Sequence, residues 1–214
     1  MKALGLLTTL GIAIAAAPAL AVPVAWTDWT SSSVGQVDGT ITTVSGAVDV
    51  TFTGGYSFAQ TAGGIFYWNE NTPAPYTSGD VDNAPPDTDI LGLDAAGTVT
   101  ITFSRSVHNP IIALVSWNGN TGSFSDPIEI VSEGNGHWGT GSFGNVTANS
   151  FVGVGELHGV IRVLGDYTQV SFTHTSENWH GIQVGVEAVP VPLPLALLGT
   201  GVTALAVAGR RKRA

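Results

Sequence analysis

The chain has 214 residues, 43% of them apolar and only 11% charged, which allows a buried core and excludes an intrinsically disordered chain. Residues 22–188 carry two basic residues, Arg105 and Arg162, against all sixteen acidic ones, a net charge of −14; this excludes electrostatic binding of nucleic acid or anionic lipid. Cysteine is absent, so the domain must be held by its core or by a bound ion rather than by disulfides.

Residues 1–21 read as a secretion signal. Lys2 gives the positive start, residues 3–17 form an uncharged apolar stretch, and Pro18 precedes the small-x-small pattern Ala19-Leu20-Ala21. Cleavage is expected after Ala21, with the Sec translocon and signal peptidase as partners. The alternative is an uncleaved anchor, for which the stretch is short against the ~20 residues of a spanning helix.

Residues 22–188 show period-2 alternation with no helical stripe. Val48, Val50 and Phe52 alternate with polar residues, as do Val99, Ile101 and Phe103, then Val170 and Phe172, then Ile182, Val184 and Val186. Ile128–Val131 is a further strand. The runs 111–115 and 159–164 are apolar nearly throughout and suit central strands. Turn signals separate these segments: Gly54-Gly55, Gly63-Gly64, Pro85-Pro86, Asn109-Pro110, Asn118-Gly119 and Gly134-Asn135-Gly136. The expectation is one all-β domain of eight to ten strands, an antiparallel two-sheet β-sandwich of jelly-roll type.

The stretch 69–89 is expected to be an ordered loop or flap, with Pro73, Pro75, Pro85 and Pro86 among its acids. Its carboxylates Asp80, Asp82, Asp87 and Asp89 make calcium the one candidate cofactor, since calcium takes six to eight oxygen ligands; a solvated loop is the alternative. Among the aromatics Trp26, Trp29, Tyr56, Phe66, Tyr67, Trp68, Trp117, Trp138 and Trp179, the best candidates for exposed sugar-stacking faces are Trp68 and Trp138, each beside turn or polar residues. Core packing is the competing role for all of them.

Two G-x-G-x-x-G matches overlap at Gly134–Gly144, but the residues that follow are strand-like, and a dinucleotide site requires a helix there. His137, Glu156, His158, His174, Glu177 and His180 fall within one segment. Of these, Glu156, His158, Glu177 and His180 are candidate ligand-contacting groups, because mixed imidazole and carboxylate donors suit zinc-like metals and acid–base work. Structural hydrogen bonding is the alternative. No nucleophile elbow and no H-E-x-x-H occurs, so no catalytic residue is assigned.

Residues 189–214 form a three-part tail: the proline-led Val189–Pro194, the uncharged apolar stretch 195–208, and Arg210-Arg211-Lys212-Arg213. Fourteen helical residues rise about 21 Å against a hydrocarbon core of roughly 30 Å, a gap that snorkelling arginines can fill. The basic end is expected to stay cytoplasmic, which puts the acidic domain outside. Val191-Pro192-Leu193-Pro194-Leu195 with the apolar helix and the terminal Arg cluster resembles the PEP-CTERM class of sorting signals, in its VPLPA variant. Leu195 departs from it, standing where that motif has Ala. The resemblance implies an exosortase, a membrane-embedded transpeptidase, as processing partner, and delivery to the cell surface or extracellular matrix of exopolysaccharide-making bacteria. A plain C-terminal anchor is the alternative, with the same topology. The segments 100–104, 109–116, 155–161 and 177–182 also resemble an uncharacterised β-rich body of PEP-CTERM-type proteins, which implies no established activity.

The expectation is therefore a signal helix at 1–21, a β-domain at 22–188 and a transmembrane sorting tail at 189–214. It describes a non-enzymatic exported protein, held briefly in the inner membrane and then released to the surface. A carbohydrate-binding module for secreted polysaccharide is the first alternative and a hydrolase the second.

Overall fold

Alternating valines and isoleucines need a partner surface on one face only, and strands of this kind pair edge to edge until the edges meet. In the computed structural model, which describes residues 23–188 apart from Gly79, fifteen strands do this. Along the chain they are β1 (Val24–Trp26), β2 (Asp28–Ser33), β3 (Gln36–Thr43), β4 (Gly46–Thr53), β5 (Phe58–Thr61), β6 (Asp89–Leu93), β7 (Gly97–His108) and β8 (Ile111–Trp117). There follow β9 (Thr121–Phe124), β10 (Ile128–Gly136), β11 (Gly139–Gly144), β12 (Ser150–Gly155), β13 (Leu157–Val163), β14 (Asp166–His174) and β15 (His180–Glu187). The expected signal segment, the cleavage residues Ala19 and Ala21, and the whole sorting tail lie outside the described residues. Among the described residues no helix is long and apolar enough to cross a membrane.

All strand pairs are antiparallel, and one path joins them in the order β2-β3-β4-β7-β14-β9-β12-β11-β10-β13-β8-β15-β6-β5, with β1 added beside β15. The sheet is nearly closed into a barrel. Its two ends meet through side chains instead of a ladder: Asp89 Oδ1 accepts the Trp29 backbone N–H at 2.8 Å, and Gln183 Oε1 accepts the Trp29 indole N–H at 2.6 Å. One backbone donor at the edge of the sheet, that of Trp29, is thereby satisfied.

The main core lies inside this sheet, with Trp29, Phe52, Ile101, Leu114, Trp117, Phe151 and Phe172 all buried. A second, smaller core sits on the other face of β8, where Ile111, Ala113 and Val115 are covered by Trp68, Tyr76 and Val81. Because β8 is covered on both faces, its run of apolar residues has no polar interruption until Ser116. The cover comes from the stretch 62–88, irregular except for a bridge at Val81, which docks on β10 by backbone bonds: Asn71 N–H to Asn135 O at 2.8 Å and Asn135 N–H to Pro73 O at 2.7 Å. A Cβ on Gly134 would collide with the Pro73–Pro75 backbone, so only glycine permits this approach.

The first and last strands of the domain leave it together. Val24 pairs with Glu187, and the Ala188 N–H donates to Pro23 O at 2.8 Å. Beside them Arg162, one of the domain's two Lys/Arg side chains, is held by Glu129 at 2.6 Å and Glu187 at 2.6 Å. The start of β15 lies at the opposite pole, about 23 Å away at ~3.3 Å per residue.

Candidate functional site

That far pole gathers six strand ends: β8 finishes at Trp117, β10 turns into β11 through His137 and Trp138, β12 passes to β13 at Glu156, and the approach to β15 carries Glu177, Asn178 and Trp179. An open cleft of about 310 Å³ lies between them, lined by Ser116, Trp138, Glu156, Glu177, Asn178 and Trp179.

Trp138 is 45% exposed, unusual for an indole this well buttressed. Trp179 meets it edge to face with ring centroids 4.9 Å apart, and Tyr67 and His137 pack on it at 5.5 and 4.6 Å. Its backbone is also fixed. The Tyr76 hydroxyl donates to Leu114 O at 3.0 Å, so at 3.1 Å from His158 Nδ1 it can only accept from that ring. His158 is therefore the Nδ1–H tautomer, with Nε2 free to accept the Trp138 N–H at 3.5 Å. Burial pushes His158 down to about 4, which keeps it in the neutral form this chain of bonds needs.

Glu156 is gripped at both oxygens. Ser116 Oγ donates to Oε2 at 2.6 Å and Asn118 Nδ2 to Oε1 at 2.9 Å. Ser116 reaches it from a left-handed backbone, φ 55°, a conformation that costs a non-glycine residue about 1 kcal/mol or more and is retained where the surroundings enforce it. Glu177 is held differently. Its Oε2 is buried with no hydrogen-bond partner, and burial first, with the Glu156 charge a lesser cause, raises its carboxyl above the ordinary value. The two carboxylates thus share one cleft in unlike environments.

The candidates from sequence divide accordingly. Trp138, Glu156 and Glu177 come together in the cleft, and His158 lies directly beneath. Trp68 is not an exposed platform: it is 1% exposed, its indole donates to Asp89 O at 2.9 Å, and it packs on Tyr76. The turn residues around it belong to a flap that folds over it instead of leaving it at the tip. His180 is also withdrawn from the cleft, fully buried against Trp117, with Nε2 3.0 Å from His174 Nδ1. The acidic residues of the flap disperse: Asp82 and Asp87 are exposed, Asp80 faces Arg162 at 3.6 Å, and Asp89 is buried on Trp29 N and Thr88. Among the described residues no three His or acidic side chains are placed to hold a metal ion. Ser116, Asn118 and Asn178 had no signal in the sequence beyond standing near turns, and Trp179 was one aromatic among many.

No protein-family model, no curated protein and no solved structure matches this chain.

Proposed function

We propose that this is an exported, non-enzymatic surface or matrix protein whose β-domain holds a secreted glycan in the Trp138 cleft. The observation that carries the glycan reading is Trp138 itself: an indole kept half in solvent by three packed rings and a backbone bond, beside fixed hydrogen-bonding groups. A sugar offers an apolar ring face and a rim of hydroxyls, which an indole flanked by carboxylates and amides complements. In the full chain Trp138→Ala is expected to weaken binding to the recognised polysaccharide at least about tenfold, while the domain stays folded because the half-exposed ring leaves no closed cavity behind. Affinity electrophoresis in gels cast with candidate polysaccharides measures this. Unretarded migration in every gel would count against the reading, as would retardation that survives Trp138→Ala.

The export reading rests on residues 1–21 and on the tail that is similar to VPLPA-type PEP-CTERM signals. It is supported by the exit of both ends of the domain from one pole. A tail held in a membrane at that pole leaves the cleft facing outward. Mass spectrometry of the surface fraction is expected to find a chain that begins at Val22 and ends near Pro192–Leu195. A cytoplasmic species with Met1 and Ala214 intact would sink the sorting proposal and leave the cleft untouched.

The barrel is further proposed to be flattened, with β2-β3-β4-β7-β14-β9-β12-β11 facing β10-β13-β8-β15-β6-β5 as the two layers of a jelly-roll-like sandwich. Packing of Trp117 from β8 onto Phe151 of β12 and Phe172 of β14 supports it.

A further inference from the structure

The cleft is chemically one-sided. Its lining holds two carboxylates and no basic side chain. Of the domain's two Lys/Arg side chains, Arg162 is committed to Glu129 and Glu187 at the pole where the chain ends leave. Arg105 bonds Thr43, Ser45 and Gly46 on the β3–β4 turn. The imidazole beneath the cleft, His158, is neutral. Among the described residues no Lys or Arg side chain therefore balances Glu156 and Glu177.

Each carboxylate nonetheless has acceptor capacity left. A carboxylate oxygen can take two hydrogen bonds, and each Glu156 oxygen has one, from Ser116 or Asn118. Glu177 Oε2 has none but is buried, so Glu177 acts on a ligand in the cleft through its charge. Two like charges on one cleft disfavour each other, and a cation placed between them removes that cost. An indole face draws a cation as well, through its ring quadrupole. A domain with a net charge of −14, from two basic against sixteen acidic residues, also raises the local concentration of cations.

A neutral sugar would use Trp138 and leave this negative potential unanswered. We infer that the cleft selects glycans bearing free amino groups, the sugar ring lying on Trp138 and its ammonium donating to Glu156 and drawn by the charge of Glu177. The inference deepens the glycan reading and rests on it. An ammonium supplies three donors and no acceptor, which fits a wall of two carboxylates and the Ser116 hydroxyl oxygen. An acetylated amino group is neutral, bulkier and has one N–H, so it forfeits the charge term.

The test titrates the full chain, in a mildly acidic buffer that protonates sugar amines, with an oligomer of glucosamine, the N-acetylglucosamine oligomer of equal length, and spermine. The free-amine oligomer is expected to bind at least about tenfold more tightly than the acetylated one, a preference that shrinks with added salt. Glu156→Gln keeps the shape of the side chain and should reduce the preference to about threefold or less; Glu177→Gln is the second variant should the first unfold. Equal binding of the two oligomers overturns the amine inference and leaves the glycan reading standing. Binding of neither, by a protein with unchanged melting, overturns both. Spermine competing as strongly as the glucosamine oligomer means the ammonium alone is recognised, which overturns the assignment to a glycan.

Discussion

Trp117→Ala is expected to destabilise the domain by about 4 kcal/mol, toward the upper end for loss of a buried aromatic. Trp117 ends β8 with no exposed surface. Its ring packs on Phe151 at 5.2 Å, Phe172 at 6.4 Å and His180 at 4.6 Å, and its indole donates to Gly181 O at 3.2 Å. The surroundings cannot collapse into the space it leaves. Gly153 runs so close to the Trp117 carbonyl that any Cβ would collide with it, and Gly122 lies under the ring with 3.1 Å between a Cβ and Cζ3. Both are strand residues whose ladders fix their backbones, so truncation leaves a cavity and also removes the indole bond to Gly181 O. For a domain of this size, 4 kcal/mol corresponds to roughly 8–16 °C in melting temperature. Urea unfolding followed by far-ultraviolet circular dichroism measures it directly, and a loss below about 1 kcal/mol would mean that the interior is far looser than described. Because Ser116 and Asn118 flank Trp117, the grip on Glu156 should weaken with it.

Strands with one wet face were legible in the sequence. Val48, Val50 and Phe52 of β4, Val99, Ile101 and Phe103 of β7, and Val170 and Phe172 of β14 are buried as their alternation requires. The doubly covered β8 was legible as well. In β15 the alternation of Ile182, Val184 and Val186 correctly marks the strand and misjudges its environment. Gln183 is buried because it bonds Trp29 and the Thr27 carbonyl, and Gly185 because Val24 and Trp26 lie on it. These are contacts with strands more than 150 residues distant in the chain, and no local pattern announces them. The strand number, fifteen instead of eight to ten, was missed for a related reason. β9, β11 and β12 are rich in glycine and serine, and β2 buries only Trp29, so they pair through the backbone with little apolar signature. The cleft was half legible. Trp138, Glu156 and Glu177 stand out as chemistry beside turns. Their convergence, and the recruitment of Ser116 from the end of an apolar run, depends on which strand ends share a pole, and that is fixed by sheet order rather than by spacing.

Acidification should unfold this domain well before its carboxylates are exhausted, and the buried histidines are the reason. His158 is pushed down to about 4, by burial first, with Glu156 opposing and His137 adding. His180 is pushed down to about 3, by burial and then by His174. Once unfolded, each returns to about 6.5. Above that pH both states carry neutral rings and the pair contributes nothing to the pH dependence. Below it the unfolded chain takes up protons that the folded one refuses, so stability falls as pH falls, through the window from 6.5 down to the folded values. At ~1.4 kcal/mol per unit for each ring, the two together would remove about 5 kcal/mol by pH 4.5, a large share of a typical domain's stability. Two groups act in the opposite sense: burial raises the Glu177 and Asp89 carboxyls, so the folded state binds their protons more readily on acidification and recovers part of the loss. Protonation also breaks specific bonds: charged His158 can no longer accept the Trp138 N–H, and the His180–His174 bond is lost once both rings are charged, because neither then keeps an acceptor nitrogen. Denaturant midpoints at pH 7 and pH 4.5 should therefore differ strongly in the native chain and less in His180→Gln, in which one of the two rings no longer titrates. A profile flat across that interval would mean that neither ring is held neutral, and the tautomer assigned to His158, which ties Trp138 to Tyr76, would fall with it.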